Sequence, residues 1–187
     1  MEVFTVPVFI AEFDLDTTLI EQYCLDYQLM TGEGRVVSNV GGFQSGDIDK
    51  THLPQLVEAI NKNLNAFVES QHLDAELMIT NMWININGYK DSNFTHIHPN
   101  AYWSGVYYVK TPENCGNIIF ENPAHDGMEH TYYATQFKEH NLYNSITHWQ
   151  EVRENILYVF PGWLRHRVQP NLSDENRISI SFNIGLV

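Results

Sequence analysis

The chain has 187 residues, a length typical of one domain and too short for two large ones. Its 23 acidic and 10 basic side chains give a formal net charge of −13, which repels phosphate backbones and excludes nucleic acid as an expected partner. No apolar run approaches the roughly 20 residues that cross a bilayer, and Cys24 and Cys115 form no CxxC pair, so we expect a reduced, cytoplasmic protein without a membrane partner.

The first 75 residues predict one strand and two helices. Residues 3–13 are rich in β-branched and aromatic side chains and predict a strand near a sheet edge. Residues 14–17 resemble a helix start, and apolar side chains follow at helical spacing. A loop is expected over residues 31–50, and an amphipathic helix from about Thr51 to Ser70 presents one apolar stripe to the core.

After His72 the apolar pattern changes to the alternation typical of strands. Turn signals separate the candidate strands, which span residues 76–87, 102–110, 117–121, 130–137, 155–160 and 177–187. Two helices followed by at least six short strands predict a mainly β fold with supporting helices, an antiparallel sandwich or jelly roll. We expect one domain over residues 1–187, with 1–75 as the supporting part and 76–187 as the β core.

Two histidine motifs in the β half are candidate metal ligands. In a strand, His96 and His98 lie on one face and can converge on one ion, although an HxH motif alone is more often two surface histidines. His166 follows the turn Pro161-Gly162 about 70 residues later. Since distant strands face one another in a jelly roll, His166 can complete a set of three ligands that leaves three positions of an octahedral iron open.

The last strand carries a candidate carboxylate site. Arg177 and Ser179 share one strand face, and an antiparallel hairpin after His166 would return them to the pocket floor. Arginine can hold a carboxylate with two parallel hydrogen bonds. Polar residues continue on that face opposite an apolar row, which fits a pocket wall and a solvent face equally well.

Together the motifs resemble the Fe(II)/2-oxoglutarate-dependent oxygenase superfamily, and more closely a bacterial and phage family of 2-oxoglutarate oxygenases. The likeness covers roughly residues 80 to 187, and the order and spacing of its motifs are specific although each motif alone is not. It is carried by His96-Ile97-His98-Pro99, Ser104-Gly105-Val106-Tyr107-Tyr108, residues 116–120, Phe160-Pro161, His166 and residues 177–183. The resemblance implies a double-stranded β-helix, as in cupins. It also implies a protein that works in the cytoplasm of a bacterium or of a phage-infected host.

The resemblance also implies an activity and a set of site residues. The protein would be a dioxygenase that uses Fe(II), 2-oxoglutarate and O₂ to hydroxylate a small molecule or a protein side chain. His96 and His166 would bind the iron, and Arg177 with Ser179 would bind the distal carboxylate of 2-oxoglutarate. Only one of Tyr107 and Tyr108 can face the barrel. We assign Tyr107, and also Asn85 on the preceding strand, to cosubstrate binding.

The third iron ligand departs from the superfamily pattern, because His98 stands where an aspartate or glutamate is usual. Three interpretations stay open: His98 itself, a carboxylate from elsewhere such as Glu121 or Asp126, or water or an anion. We favour His98, since the strand geometry places it on the face of His96.

Other interpretations compete with this one. A three-histidine iron site could serve a dioxygenase that needs no 2-oxoglutarate. The chain could also be a non-enzymatic jelly-roll binding module, or a degenerate oxygenase that keeps the fold without the chemistry. Residues 125–150 form a polar, aromatic stretch that we expect to be a substrate lid. Free sheet edges would allow a homodimer.

Overall fold

The structure, a computed structural model, describes residues 5–132 and 136–187 of the chain. Within these ranges the helices are α1 (Thr17–Thr31), α2 (Pro54–Ser70) and α3 (His125–Tyr132). A short 3-10 turn at Lys50–His52 precedes α2. None of the described helices is long and apolar enough to cross a membrane.

The strands form two antiparallel sheets. The larger sheet consists of β1 (Phe9–Glu12), β3 (Phe43–Gln44), β4 (Leu77–Asn87), β6 (Trp103–Lys110), β9 (Ile156–Pro161) and β11 (Arg177–Leu186), in the order β1-β9-β6-β11-β4-β3. The smaller sheet consists of β2 (Asn39–Val40), β5 (Ser92–His96), β7 (Ile118–Glu121), β8 (Thr147–Gln150) and β10 (His166–Val168), in the order β2-β5-β10-β7-β8. Consecutive strands often lie in opposite sheets, and one cavity is lined from both, which confirms the predicted jelly roll.

The outer face of the larger sheet is covered by α1 and α2. One buried apolar cluster joins both helices to this face, and its members include Ile20, Cys24, Leu56, Ile60, Leu64, Phe67, Ile178, Ile180, Phe182 and Ile184. Each large aliphatic side chain in it stabilises the fold by about 1.5–3 kcal/mol. A second cluster between the two sheets contains Val106, Ile118, Phe120 and Phe160. The helices therefore support the sheet that forms one wall of the cavity.

The helix starts follow local chemistry. The Asp16 Oδ1 accepts a hydrogen bond from the Thr18 N–H at 3.0 Å and caps α1, as the sequence predicted. The predicted start of α2 near Thr51 is three residues early, because Pro54 occupies the first turn, where its missing N–H costs nothing. The Asp49 side chain instead caps the preceding 3-10 turn.

Several predicted elements differ from the structure. Residues 130–132 end α3 rather than begin a strand, and residues 133–135 of that predicted strand lie outside the described residues. The predicted loop over 31–50 contains β2 and β3, one in each sheet, so residues 1–75 also contribute strands to the β core. The predicted hairpin before Arg177 is absent, because β10 and β11 belong to different sheets.

Candidate metal centre and cosubstrate pocket

The larger sheet supplies a polar wall of the cavity. On β11, Arg177, Ser179 and Ser181 line the cavity, while the alternate residues of the strand join the core. On the antiparallel strand β4, the partners of these three residues are Asn87, Asn85 and Trp83, which line it as well. The alternation on the last strand is therefore a pocket wall and not a solvent face.

The cavity is closed at the Arg177 end. Arg177 and Asn87 are 1% and 2% exposed, and Ser179 is 6% exposed. One step further along the two strands, Trp83 and Ser181 are half-buried. Exposure therefore rises from Arg177 towards Trp83, and we call the open end beyond Trp83 the mouth.

Three imidazoles from the other wall converge near the mouth. His96 ends β5 and lies opposite His166 of β10, so the sheet pairing itself brings the two together. The candidate ligand nitrogens of His96, His98 and His166 all lie within 4.8 Å of one another. The Nε2 atoms of His98 and His166 are 3.2 Å apart.

His98 reaches the cluster by a different route from the one predicted. It lies in the turn after β5 and not within the strand, so the same-face argument for His96 and His98 does not apply. The His98 N–H donates to the Gly162 carbonyl at 2.8 Å, which ties this turn to the Pro161-Gly162 turn before His166. The turn after β5 and the turn at Pro161-Gly162, which are far apart in sequence, thus together position the third imidazole.

Backbone carbonyls orient two of the imidazoles. The Nδ1 of His96 lies 2.8 Å from the Phe94 oxygen, and the Nδ1 of His166 lies 2.8 Å from the Leu164 oxygen. A carbonyl can only accept, so each Nδ1 carries the proton and each Nε2 keeps its lone pair. A hydrogen bond of this kind to the far nitrogen is what orients metal-binding histidines.

Burial also keeps the three imidazoles neutral. Desolvation lowers the pKa of His96, and desolvation with the charge of His96 lowers the pKa of His98 to about 4. The pKa of His166 falls well below its ordinary value for the same reasons. All three side chains are therefore neutral imidazoles at neutral pH, which is the form that binds a metal.

The cluster holds no carboxylate among the residues that the structure describes. The Glu121 Oε1 accepts from the Thr95 hydroxyl at 2.8 Å and pairs with Arg167 at 3.2 Å. Asp126 is exposed on α3 beside His125. Neither of the carboxylates considered as a third ligand lies with the imidazoles, whereas His98 does.

Arg177 presents a free guanidinium edge at the closed end. Its Nη1 donates to the carbonyl of Cys115 and, at 3.0 Å, to that of Gln169. Its Nη2 has no hydrogen-bond partner in the described part of the chain. Burial lowers the pKa of Arg177, yet a guanidinium stays protonated, so a fixed positive charge faces the cavity.

Tyr108, and not Tyr107, lines this end of the cavity. The assignment of Tyr107 was wrong, because its hydroxyl donates to the Asn155 Oδ1 at 2.6 Å on the helix-covered face of the sheet. Tyr108 points the opposite way, as strand alternation requires, and its buried hydroxyl has no partner among the described residues. Ser179 lies beside it in the neighbouring strand.

Asn85 is in the cavity wall as predicted, with its Nδ2 donating to the Ser181 hydroxyl at 3.0 Å. For the predicted lid, no described residue of 125–150 lines the cavity. The role of this stretch as a substrate lid therefore stays a prediction. Ser181 lines the cavity, as one of the two interpretations of the polar row on β11 predicted. The sequence reasoning missed Trp83 as a wall residue. Its signal was the two-residue periodicity of β4, which places it on the same face as Asn85.

Comparison with known proteins identifies the family. The model of a family described as "Putative 2OG-Fe(II) oxygenase" matches residues 81–183, more than half of the chain. The protein therefore belongs to the family of 2-oxoglutarate- and Fe(II)-dependent oxygenases, and it is an enzyme of that class. No curated protein matches the sequence.

Solved structures with the same fold have low sequence identity. A prolyl-4-hydroxylase from Pseudomonas putida is 15% identical with a TM-score of 0.68, over 96% of this chain and 93% of that one. HygX from Streptomyces hygroscopicus, with nickel and 2-oxoglutarate bound, is 11% identical with a TM-score of 0.65, over 97% and 83%. A Trichoplax adhaerens prolyl hydroxylase, in complex with a hypoxia inducible factor peptide fragment, is 14% identical with a TM-score of 0.63, over 95% and 83%. At these identities the likeness shows the double-stranded β-helix fold.

The donor groups fit the metal and cosubstrate of the family, Fe(II) and 2-oxoglutarate. Three neutral imidazole nitrogens in one cluster suit a divalent transition metal. Among the residues that the structure describes, the Nη2 of Arg177 and the hydroxyl of Tyr108 are donors without an acceptor, as a carboxylate site requires. Both donors lie in the cavity that the imidazoles line.

Proposed function

We propose that the protein hydroxylates a C–H bond of a small molecule or of a protein side chain. In this proposal His96, His98 and His166 hold Fe(II), and Arg177, Ser179 and Tyr108 hold the distal carboxylate of 2-oxoglutarate. The expectation of Tyr107 in that role is replaced by Tyr108.

The observation that carries the proposal is the buried guanidinium of Arg177, whose Nη2 has no hydrogen-bond partner among the described residues. No ion pair in the described part of the chain involves Arg177. A buried charge without a counter-ion costs several kcal/mol, so this site stabilises the fold only when an anion binds. A carboxylate satisfies both the charge and the free donors.

The neutral ligand set supports a dianionic cosubstrate. A carboxylate in the place of His98 would cancel one positive charge of the iron, whereas an imidazole cancels none. The pocket with Fe(II) and Arg177 is then one unit more positive than it would be with a carboxylate ligand, and it attracts 2-oxoglutarate more strongly.

When bound, Fe(II) together with 2-oxoglutarate and O₂ supplies the oxidising power that breaks a C–H bond, with succinate and CO₂ as the other products. The chain contributes orientation and exclusion of water. Arg177 and Tyr108 fix one end of the cosubstrate at the closed end of the cavity, and Val106, Ile118 and Phe160 cover its flanks.

The wall restricts the part of the substrate that reacts. Apart from Arg177 and the imidazoles, the described residues that line the cavity are uncharged. Because a buried charge needs a partner, we expect the part of the substrate that enters this cavity to be uncharged. Prolyl hydroxylases, one of them with a peptide bound, are among the similar structures, and this supports prolyl peptides as the first candidates.

The rival interpretations lose support. Family membership argues against a non-enzymatic binding module, and a dioxygenase without 2-oxoglutarate would leave the free Arg177 donors unexplained. A degenerate oxygenase is the alternative that an assay must exclude.

Succinate formation tests the proposal. The protein is loaded anaerobically with Fe(II) and then mixed with 2-oxoglutarate, air and a panel of prolyl peptides. We expect succinate that depends on iron, and its loss in His166→Ala and Arg177→Ala. The matched control is Arg167→Ala, which removes an arginine that pairs with Glu121 and does not line the cavity. Absence of succinate at any iron concentration would contradict the proposal.

A further inference from the structure

The strand pair that brings His96 and His166 together is irregular next to these two residues. His96 lies opposite His166, but the two residues before it in β5, Phe94 and Thr95, face the single residue Arg167 of β10. An extra residue of this kind is a β-bulge, which interrupts the ladder of backbone hydrogen bonds and changes the direction of nearby side chains. Backbone pairing with β10 therefore determines the position of His96 only in part.

The position of His166, in contrast, is fixed by regular pairing with β7. Residues 166–168 of β10 pair with β7 without a break. The Glu121 N–H also donates to the Arg165 carbonyl at 2.9 Å, directly before His166 in the chain. Glu121, at the end of β7, is therefore held in a fixed place relative to His166.

A side-chain hydrogen bond connects the bulge to this fixed part of the sheet. The Thr95 hydroxyl donates to the Glu121 Oε1 at 2.8 Å. Strand β10 separates β5 from β7, so the two side chains together cross two strand spacings, about 10 Å. They do so on the face away from the cavity, because Phe120, the neighbour of Glu121, is in the core between the sheets. We call this contact the Thr95–Glu121 bridge.

The two bonds to the Glu121 carboxylate differ in what they hold. The Glu121 side chain is only 17% exposed, and a hydrogen bond to a carboxylate is stronger than one between neutral groups. Arg167 binds the same oxygen at 3.2 Å. That bond joins β10 to β7, which backbone pairing already connects. Of these two bonds, only the one from Thr95 restrains β5.

We propose that the Thr95–Glu121 bridge positions His96 for metal binding by holding the bulge at a fixed distance from His166. The inference rests on the proposed ligand set. The carbonyl that orients the His96 ring belongs to Phe94, the other bulge residue, and lies 2.8 Å from the His96 Nδ1. The bridge therefore restrains both the ring and the group that orients it. Thr95 and Glu121 do not line the cavity, so both are positioning residues that act through His96.

Metal affinity and ligand geometry test this inference. Thr95→Val keeps the shape and the β-branch of the side chain but removes the hydroxyl, and the Glu121 carboxylate keeps its ion pair with Arg167. In anaerobic calorimetry we expect the Kd of Fe(II) to rise about tenfold, as for other groups that orient metal ligands. Co(II) then replaces Fe(II) as a spectroscopic probe. Its visible absorption depends on the geometry of the ligands, and we expect a changed spectrum in Thr95→Val.

Further variants separate positioning from packing. Thr95→Ser has a smaller side chain but restores the hydroxyl, and it should return both the Kd of Fe(II) and the Co(II) spectrum to those of the wild type. Arg167→Ala removes the other partner of the same carboxylate oxygen and should leave both measurements unchanged. The double variant Glu121→Ala/Arg167→Ala removes the bridge without leaving an unpaired charge. It should weaken Fe(II) binding as Thr95→Val does, and it provides the same test if Thr95→Val does not fold.

The outcomes distinguish this inference from the proposed function. A folded Thr95→Val with the iron affinity and the Co(II) spectrum of the wild type would overturn the inference, as would a Thr95→Ser that shows no recovery. Equal weakening in Arg167→Ala would overturn it as well. In each case, loss of Fe(II) from His166→Ala would leave the proposed ligand set standing. A wild type that binds no Fe(II), or a His166→Ala that binds Fe(II) as tightly as the wild type, would overturn both.

Discussion

At the scale of single residues, Arg177 can be tested by a change that keeps its charge. Arg177→Lys preserves the positive charge. A lysine ammonium, however, lacks the planar fork of donors with which Arg177 can bind the Cys115 and Gln169 carbonyls and at the same time donate to a bound carboxylate. We expect the Kd of 2-oxoglutarate to rise about 10- to 100-fold, the equivalent of a charged hydrogen bond lost, in anaerobic calorimetry with Fe(II). Arg167→Lys is the matched control, and an unchanged Kd in a folded Arg177→Lys would refute the assignment.

The adjacent tyrosines provide a second residue test. Tyr108→Phe removes a hydroxyl from the cavity, and we expect about a tenfold weaker binding of 2-oxoglutarate. Tyr107→Phe removes the hydrogen bond to Asn155 and should lower the free energy of unfolding by about 1 kcal/mol without changing the Kd of 2-oxoglutarate. If calorimetry showed weaker 2-oxoglutarate binding in Tyr107→Phe, and urea unfolding showed only a loss of stability in Tyr108→Phe, the roles assigned to the two tyrosines would be reversed.

His98 tests the unusual ligand set. His98→Asp places a carboxylate near the other two imidazoles, so the variant should still bind one Fe(II) while its affinity for 2-oxoglutarate falls, because the new negative charge repels the dianion. His98→Ala should bind Fe(II) more weakly. Iron content and calorimetry measure both effects. Loss of iron from a folded His98→Asp would mean that His98 does not occupy a ligand position.

At the scale of elements, some of the site was readable from the sequence and some was not. The alternation of β11 predicted that Arg177 and Ser179 share a face, because side-chain direction in a strand depends only on local geometry. The strands β2, β3 and β10 are two or three residues long, too short for a periodic signal. Which sheet β10 joins depends on pairing with residues far away in sequence, and so the hairpin before Arg177 was predicted wrongly.

The turn that holds His98 gives an element-scale prediction. A Cβ on Gly162 would lie 2.3 Å from the Ala101 backbone oxygen, so Gly162→Ala must displace the turn of residues 98–101. We expect weaker Fe(II) binding and a lower Tm, since His98 also depends on the Gly162 carbonyl. Gly127→Ala, where an added Cβ meets no atom of the described residues within 4 Å, is the control. Equal iron affinity in the two variants would contradict this role of the turn.

At the scale of the whole molecule, the order of two helices followed by strands was enough to predict an antiparallel sandwich or jelly roll, because few layer architectures fit that order. The choice of a double-stranded β-helix came from the family resemblance. The meeting of His96, His98 and His166 was predicted from motif spacing, but the position of His98 in the turn after β5 was not. The expected cytoplasmic location and the expected homodimer stay predictions. Sedimentation or size-exclusion chromatography can test the dimer.

The buried histidines predict a pH dependence of stability in the metal-free protein. Their folded-state pKa values lie below 6.5, that of His98 at about 4. Below pH 6.5 the unfolded chain therefore binds more protons than the folded one, and the free energy of unfolding falls as the pH decreases. Between pH 7 and pH 5 the shift of His98 alone corresponds to a loss on the order of 2 kcal/mol, and the shifts of His96 and His166 add to this loss; urea unfolding after treatment with chelator measures it.

The control for this pH effect replaces one histidine at a time. His98→Gln should reduce the loss of stability, whereas His140→Gln, which changes an exposed side chain, should leave it as in the wild type. A free energy of unfolding that stays constant from pH 7 to pH 5 would show that the imidazoles are not buried as neutral groups.

The central claim is that the three imidazoles and the guanidinium serve one bound metal and one bound cosubstrate. The most direct measurement is an anaerobic crystal structure with Fe(II) and 2-oxoglutarate. It should place the ion on the Nε2 atoms of His96, His98 and His166, and one cosubstrate carboxylate on the Arg177 Nη2 and the Tyr108 hydroxyl. An ion bound away from these histidines, or a cosubstrate that leaves Arg177 without a carboxylate, would contradict the account.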